Sequence, residues 1–112
     1  MIKLVNLEQG MPYADAAIRR LTLEIFDAKR RGYSSLKLIH GYGSSGKGGV
    51  IRAKVYAELE ARKAAGIVSD YIPGDAFSPF SPAGRKALSV MAELSRDRDY
   101  SRGNLGITLV LF

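Results

Sequence analysis

Apolar positions change period several times along this chain, and each change marks an element. Ile2 to Leu7 is short and mostly apolar, the form of a strand. Gln9-Gly10-Met11-Pro12 breaks it as a turn, with Pro12 placed to open a helix. From there to about Arg31, Ala14, Ile18, Leu21, Ile25 and Ala28 recur at spacings of three and four, giving one core-facing stripe. Asp15–Arg19 and Asp27–Arg31 are i,i+4 pairs on its outer side. Gly32 is a natural left-handed stop behind the cationic turn Lys29-Arg30-Arg31. Ser35 to His40 reads as a second strand. A glycine-rich loop runs from His40 to Gly49, and a second helix from about Val50 to Ala65. Ile51, Val55 and Leu59 form its inner stripe, Glu58–Arg62 an outer pair, and Gly66 its end. Ile67 to Ile72 is a third strand, stopped by Pro73-Gly74.

The remainder is less regular. Asp75-Ala76-Phe77-Ser78-Pro79-Phe80 is an irregular stretch with two aromatics. Ser81-Pro82 has the form of an N-cap followed by a first-turn proline. A third helix to about Ser95 would carry Leu88, Met91 and Leu94 inward. Arg96 to Asn104 reads as a charged loop, its arginines alternating with Asp97 and Asp99 in a solvated run. Ile107 to Phe112 is too continuously apolar for an edge, which predicts a central strand. No internal repeat is present. The order β-α-β-α-β-(α)-β contains two crossovers, so the first three strands should be mainly parallel. The expected fold is an α/β two-layer sandwich, with a mixed four-stranded sheet, two main helices and a third helix inserted before the last strand. At 112 residues it should be one domain, 1–112.

Composition narrows what such a domain can do. The chain is 46% hydrophobic and 25% charged, well able to build a core. Its 17 Lys and Arg against 11 Asp and Glu leave a net charge of +6, which favours polyanionic partners. The absence of cysteine excludes disulfides, thiolate zinc sites and cysteine nucleophiles. With one histidine, only carboxylates would remain to complete a metal site, so neither metal nor cofactor is expected. No apolar run approaches the ~20 residues that span a bilayer, and the first residues do not resemble a signal peptide. A cytoplasmic protein with no membrane contact is expected, with a monomer favoured.

The loop His40-Gly41-Tyr42-Gly43-Ser44-Ser45-Gly46-Lys47-Gly48-Gly49 carries the candidate chemistry. Gly41 to Gly46 satisfies G-x-G-x-x-G between a strand and a helix. Against a dinucleotide site, Lys47-Gly48-Gly49 stands between the motif and the expected helix, and the loop follows the second strand, not the first. Gly41 to Lys47 also satisfies most of a P-loop, but Gly48 replaces the hydroxyl residue that would bind Mg²⁺. Both patterns share a physical principle: glycines let backbone N–H groups converge, a helix N-terminus adds a favourable field, and Lys47 and Arg52 add charge. That arrangement holds an anion, phosphate above all. The plain alternative is a connector whose glycines merely make turns. His40 sits at the C-terminal end of a strand, where ligand and catalytic groups of parallel α/β sheets gather. It would serve as an acid or base near neutral pH, or only shape the loop.

His40-Gly41-Tyr42-Gly43, between an apolar strand and a helix beginning Val50-Ile51-Arg52, resembles the second motif of the small MutS-related (Smr) domain. Gly103-Asn104-Leu105-Gly106 ahead of Ile107 to Leu111 is similar to that family's closing segment. The resemblance implies a compact α/β sandwich similar to the C-terminal domain of translation initiation factor 3. It also implies DNA or RNA binding and, in several members, endonuclease or nicking activity. Two departures stand out. The family's opening Leu-Asp-x-His-Gly is here Val5-Asn6-Leu7-Glu8-Gln9-Gly10, so its Asp and His are missing and Glu8 is the nearest substitute. The stretch from about Pro73 to Arg102 is longer than the family's, as in a divergent subgroup.

The leading expectation is a nucleic-acid-binding domain in which His40, Gly41, Tyr42, Gly43, Ser44, Lys47, Arg52 and Arg102 meet the phosphate backbone, with Tyr42 able to stack on a base. The alternatives are an Smr-type endonuclease with His40 and Glu8 as acid–base pair, and a protein-interaction module using Tyr71, Phe77 and Phe80. For those three aromatics, covering the sheet edge is the simpler expectation.

Overall fold

A computed structural model describes residues 2–8, 13–41 and 47–112, with 47–49 as backbone only. The elements are β1 (Ile2–Asn6), α1 (Ala14–Arg30), β2 (Ser35–Ile39), α2 (Lys47–Ala64), β3 (Asp70–Pro73), α3 (Pro82–Val90) and β4 (Ile107–Leu111). Short 3₁₀ turns occupy Gly74–Ala76 and Ala92–Arg96. The strands lie in the order β1-β2-β4-β3. β1 and β2 pair in parallel, and β4 runs antiparallel to both β2 and β3. The first three strands therefore point the same way, and the expected α/β sandwich with a mixed four-stranded sheet is present.

Period-two alternation divides the sheet between two cores. Val5, Leu36, Leu38 and Val110 face α1 and α2, where Leu21, Ile25, Val55 and Leu59 meet them. Of the α1 stripe, Leu21, Ile25 and Ala28 are buried and Ala14 and Ile18 pack at its margin. Ile72, Ile107, Leu109 and Leu111 face the other way and are covered by Phe77, Ala87, Met91 and Leu94 of the inserted segment. β4 is buried at every residue because it is central and covered on both faces, which explains its unbroken apolar run. Pro73 is tolerated because β3 is an edge strand. Gly32 and Gly66 both have positive φ and end their helices as expected.

Several boundaries differ from expectation. α2 begins at Lys47, not Val50, so Lys47-Gly48-Gly49 is its first turn and not an insertion before it. β3 begins at Asp70, not Ile67. After Gly66 the chain folds back, with the N–H groups of Ile67 and Val68 donating to the Arg62 carbonyl, and Val68 enters the first core before strand pairing starts. α3 opens on the Ser81 cap, whose Oγ accepts the Gly84 N–H at 2.8 Å, but it ends at Val90. Met91 is extended (φ −140, ψ 96) and the chain re-enters as a 3₁₀ turn. No glycine or proline forces that break. It is set by burial of Leu94 in the second core and by what Asp97 reaches.

Asp97 and Asp99 are not members of a solvated run. Lys37, in the middle of β2, is 7% exposed on the second face of the sheet. Its Nζ lies 2.8 Å from Asp97 and 2.5 Å from Asp99. Burial pulls its pKa down, but the two carboxylates outweigh that and hold it above the ordinary 10.5. Burial likewise pushes Asp99 up, and the Asn104 amide and Lys37 outweigh it, so its carboxyl is held low. On the helical side, Glu58–Arg62 (2.8 Å) and Asp27–Arg31 (3.2 Å) form as the spacing requires. Asp15 instead pairs across to Lys54 of α2 at 2.9 Å, and Arg19 acts on it only through its field.

Candidate nucleic-acid interface

β1, β2 and β3 end on one side of the sheet, and α1, α2 and β4 begin there. The glycine loop leaves β2 at this end. Tyr42, Gly43 and Ser44 lie outside the described residues, and of Lys47 only its backbone position at the start of α2 is described. Arg52, on the second turn of α2, is half-buried.

His40 is fully buried, on the face of the sheet that α2 covers. Its Nδ1 lies 2.9 Å from the Gly41 carbonyl, which can only accept, so Nδ1 carries the proton. Its Nε2 lies 2.7 Å from Thr108 Oγ1 and accepts that hydroxyl. Tyr56 of α2 meets the ring edge-on, with centroids 6.0 Å apart. Burial lowers the pKa of His40 below the ordinary 6.5. The Gly41 carbonyl opposes this, and the Arg52 charge adds to the lowering. The imidazole is neutral and both its nitrogens are engaged. One ring nitrogen is spent on Gly41, the first residue of the glycine run, and the other on β4. As an acid or base it has no ring nitrogen turned toward a substrate.

Gly41 is where the pieces meet. Its φ is +79, the left-handed region that favours glycine. A Cβ there would also run into the Glu8 carboxylate, which lies directly against it. Glu8 is brought there by the end of β1: the Leu7 N–H donates to the Ile39 carbonyl at 2.8 Å, and the Glu8 N–H donates to Asn6 Oδ1 at 2.9 Å. Asn6 thus closes a local turn. Glu8 and His40 flank Gly41 from two sides, yet no hydrogen bond joins them among the described residues. The N–H groups of His40 and Gly41 both donate to the Gly106 carbonyl, at 2.9 and 3.1 Å. The Gly41 N–H, expected to face a phosphate, is therefore committed to the fold.

The β4 side of this end is tied to the same place. The Ser101 N–H donates to the Phe77 carbonyl at 2.8 Å, and a Cβ on Gly74 would strike the Asn104 carbonyl. Arg102, exposed on this loop, thereby comes to the end of the sheet that carries the glycine run, and Arg96 and Arg98 are exposed on the same segment. Arg20 adds a cation that the sequence reading passed over. From α1 it reaches the end of β1 and donates to the Asn6 carbonyl at 2.7 Å. Its signal was placement near a helix start that must share the sheet end with the loop.

Of the three aromatics considered for partner docking, two are structural. Phe77 is fully buried against Tyr100, and Tyr71 stacks on Tyr56 with its hydroxyl donating to Glu60 at 2.8 Å. Phe80 is 89% exposed and covers nothing, contrary to the expectation for it. Among the described residues, no group of three or more His, Asp or Glu side chains could hold a metal ion, and no helix is long and apolar enough to cross a membrane. No family model, no curated protein and no solved structure matches this chain.

Proposed function

We propose that this chain is a nucleic-acid-binding domain that grips phosphate backbone where β2 turns into α2, in the manner its resemblance to Smr domains implies. One observation carries the reading: α2 starts at Lys47, so the glycine run leads straight into a helix N-terminus. The first-turn N–H groups of a helix lack partners within it and carry a favourable field for anions. Gly48 and Gly49 in that first turn put no side chain between backbone and ligand. Arg20, Arg52 and Arg102 add charge at the same end. The direct mark of an early α2 would also suit a dinucleotide, but antiparallel β4 stands beside β2 where that fold needs a parallel neighbour.

Cleavage is the less supported reading. His40 is sealed and neutral, and Glu8 stands beside it without a bond to it, which describes a grip better than a blade. The test is binding by Lys47→Ala with Arg52→Ala. Affinity for DNA and RNA should fall, and the log–log salt slope on duplex DNA should flatten by about two charges' worth, roughly 1.8. Unchanged affinity and slope overturn the proposal.

A further inference from the structure

Phe80 is the most exposed large apolar side chain among the described residues, at 89%. It does not sit on a loose segment. Its own N–H donates to Ser78 Oγ at 3.2 Å, and Arg85 of α3 donates to the Pro79 carbonyl at 3.0 Å. Ser81 Oγ donates to the Ala76 carbonyl while accepting the Gly84 N–H, which fastens the turn to both the 3₁₀ turn before it and the helix after it. A Cβ on Gly84 would strike the Ser78 carbonyl, so the turn lies flush on α3. The backbone is thus fixed on both sides of an aromatic ring that the fold itself does not use.

The surroundings say what such a ring would meet. Arg85 is held beside it, and the Ser101–Phe77 bond brings Arg102 to the base of the same turn. β2 and β3, whose ends deliver Gly41 and Gly74, are separated by β4 alone, so the two ends are about 10 Å apart. Gly74, where the segment carrying Phe80 leaves β3, therefore lies at the same end of the sheet as Gly41, and Arg85 and the residue before Arg102 are both bonded to that segment. Positive charge that tracks a backbone, with an aromatic for the bases, is the chemistry of single-strand recognition. Duplex DNA and RNA present phosphates but keep their base faces stacked inside, so a ring of this kind discriminates.

We infer that Phe80 is a base-stacking anchor, and that the ligand of this domain is single-stranded or unpaired nucleic acid, held from the N-terminus of α2 across the start of β4 to the 78–81 turn. The inference rests on the nucleic-acid reading above and deepens it.

The chain has no tryptophan, so Phe80→Trp installs a single reporter on an exposed position. Its emission should be quenched on adding oligo-dT or oligo-U about 12 nucleotides long, and not by a duplex of equal length. Phe80→Ala should weaken single-strand binding roughly 5- to 100-fold and leave duplex binding within about twofold, while Phe80→Tyr should retain the wild-type affinity. The dT and U arms show whether DNA or RNA is preferred. Wild-type binding that Phe80→Ala leaves unchanged, or weakens equally for single strand and duplex, overturns the stacking anchor and leaves the phosphate grip standing. Absence of any nucleic-acid binding by the wild type overturns both. Capture of a protein partner that Phe80→Ala abolishes, with no effect on oligonucleotide binding, overturns the anchor in favour of a protein contact.

Discussion

β2 and the residue that follows it bury a polar side chain on each face of the sheet, and the fold treats the two oppositely. His40, on the helical face, is kept neutral. It donates to a carbonyl, accepts a hydroxyl and packs edge-on against Tyr56. Lys37, on the other face, is kept charged between two carboxylates supplied from sixty residues later in the chain. A neutral ring costs little to bury once its two nitrogens are bonded, and it holds a backbone turn in place. A buried cation is tolerable only with its counter-charges, so whatever brings those charges is locked down too. The histidine thus holds Gly41, the first residue of the glycine run, while the lysine clamps the segment that carries Arg102 and follows the Phe80 turn.

The contrast breaks most visibly at Lys37. Lys37→Met should cost about 3–5 kcal/mol in urea unfolding, because Asp97 and Asp99 are left close together without a cation. Adding Asp97→Asn and Asp99→Asn to Lys37→Met should recover a large part of that loss. A single substitution that costs under about 1 kcal/mol would show that the clamp does not hold the insert.

His40 gives the second effect. Its folded pKa lies below 6.5, so below pH 6.5 the unfolded chain takes up more protons than the folded one. Stability should therefore be full above that pH and fall as the pH drops toward 5, by at most about 1.4 kcal/mol per pH unit. The carboxylates held low, Asp15, Asp27, Asp70 and Asp99, make themselves felt only nearer 3.8 and below. His40 is the only histidine, so the slope between pH 5 and 7 reports on it alone, and His40→Asn should flatten it. A wild-type profile that is already flat would mean the ring is not held neutral.

Thr108→Val gives the smallest effect. It removes the hydroxyl that Nε2 accepts and keeps the shape, at about 1 kcal/mol. Losing a donor to the neutral ring also lets its pKa rise, so the acid slope should shrink. An acid slope that steepens would show that Thr108 accepts from a protonated ring instead.

Much of this was readable residue by residue. The strand–helix order, the central position of Ile107 to Leu111, the Ser81 cap and the Glu58–Arg62 pair all follow from spacings within one element. The sharing of one sheet end by His40, Glu8 and Arg102 was open to inference only in part, because it needed the last loop to fold back. What was not legible involves partners far apart in sequence. Asp15 has Arg19 one helical turn away and still pairs with Lys54. Nothing in Arg96 to Asn104 marks its two aspartates as the counter-charges of a lysine in β2. The unwinding at Met91 has no breaker residue to announce it.

The sequence by itself determined the elements, their order and the basic glycine-rich loop, because hydrophobic period, caps and glycine stops act over a few residues. Only the tertiary structure decided which polar groups are spent. The Gly41 N–H goes to Gly106, the His40 ring to Thr108, and Lys37 to Asp97 and Asp99, while Phe80 is left over. Burial and long-range pairing make those assignments, and they exist only once the strands have closed into one sheet.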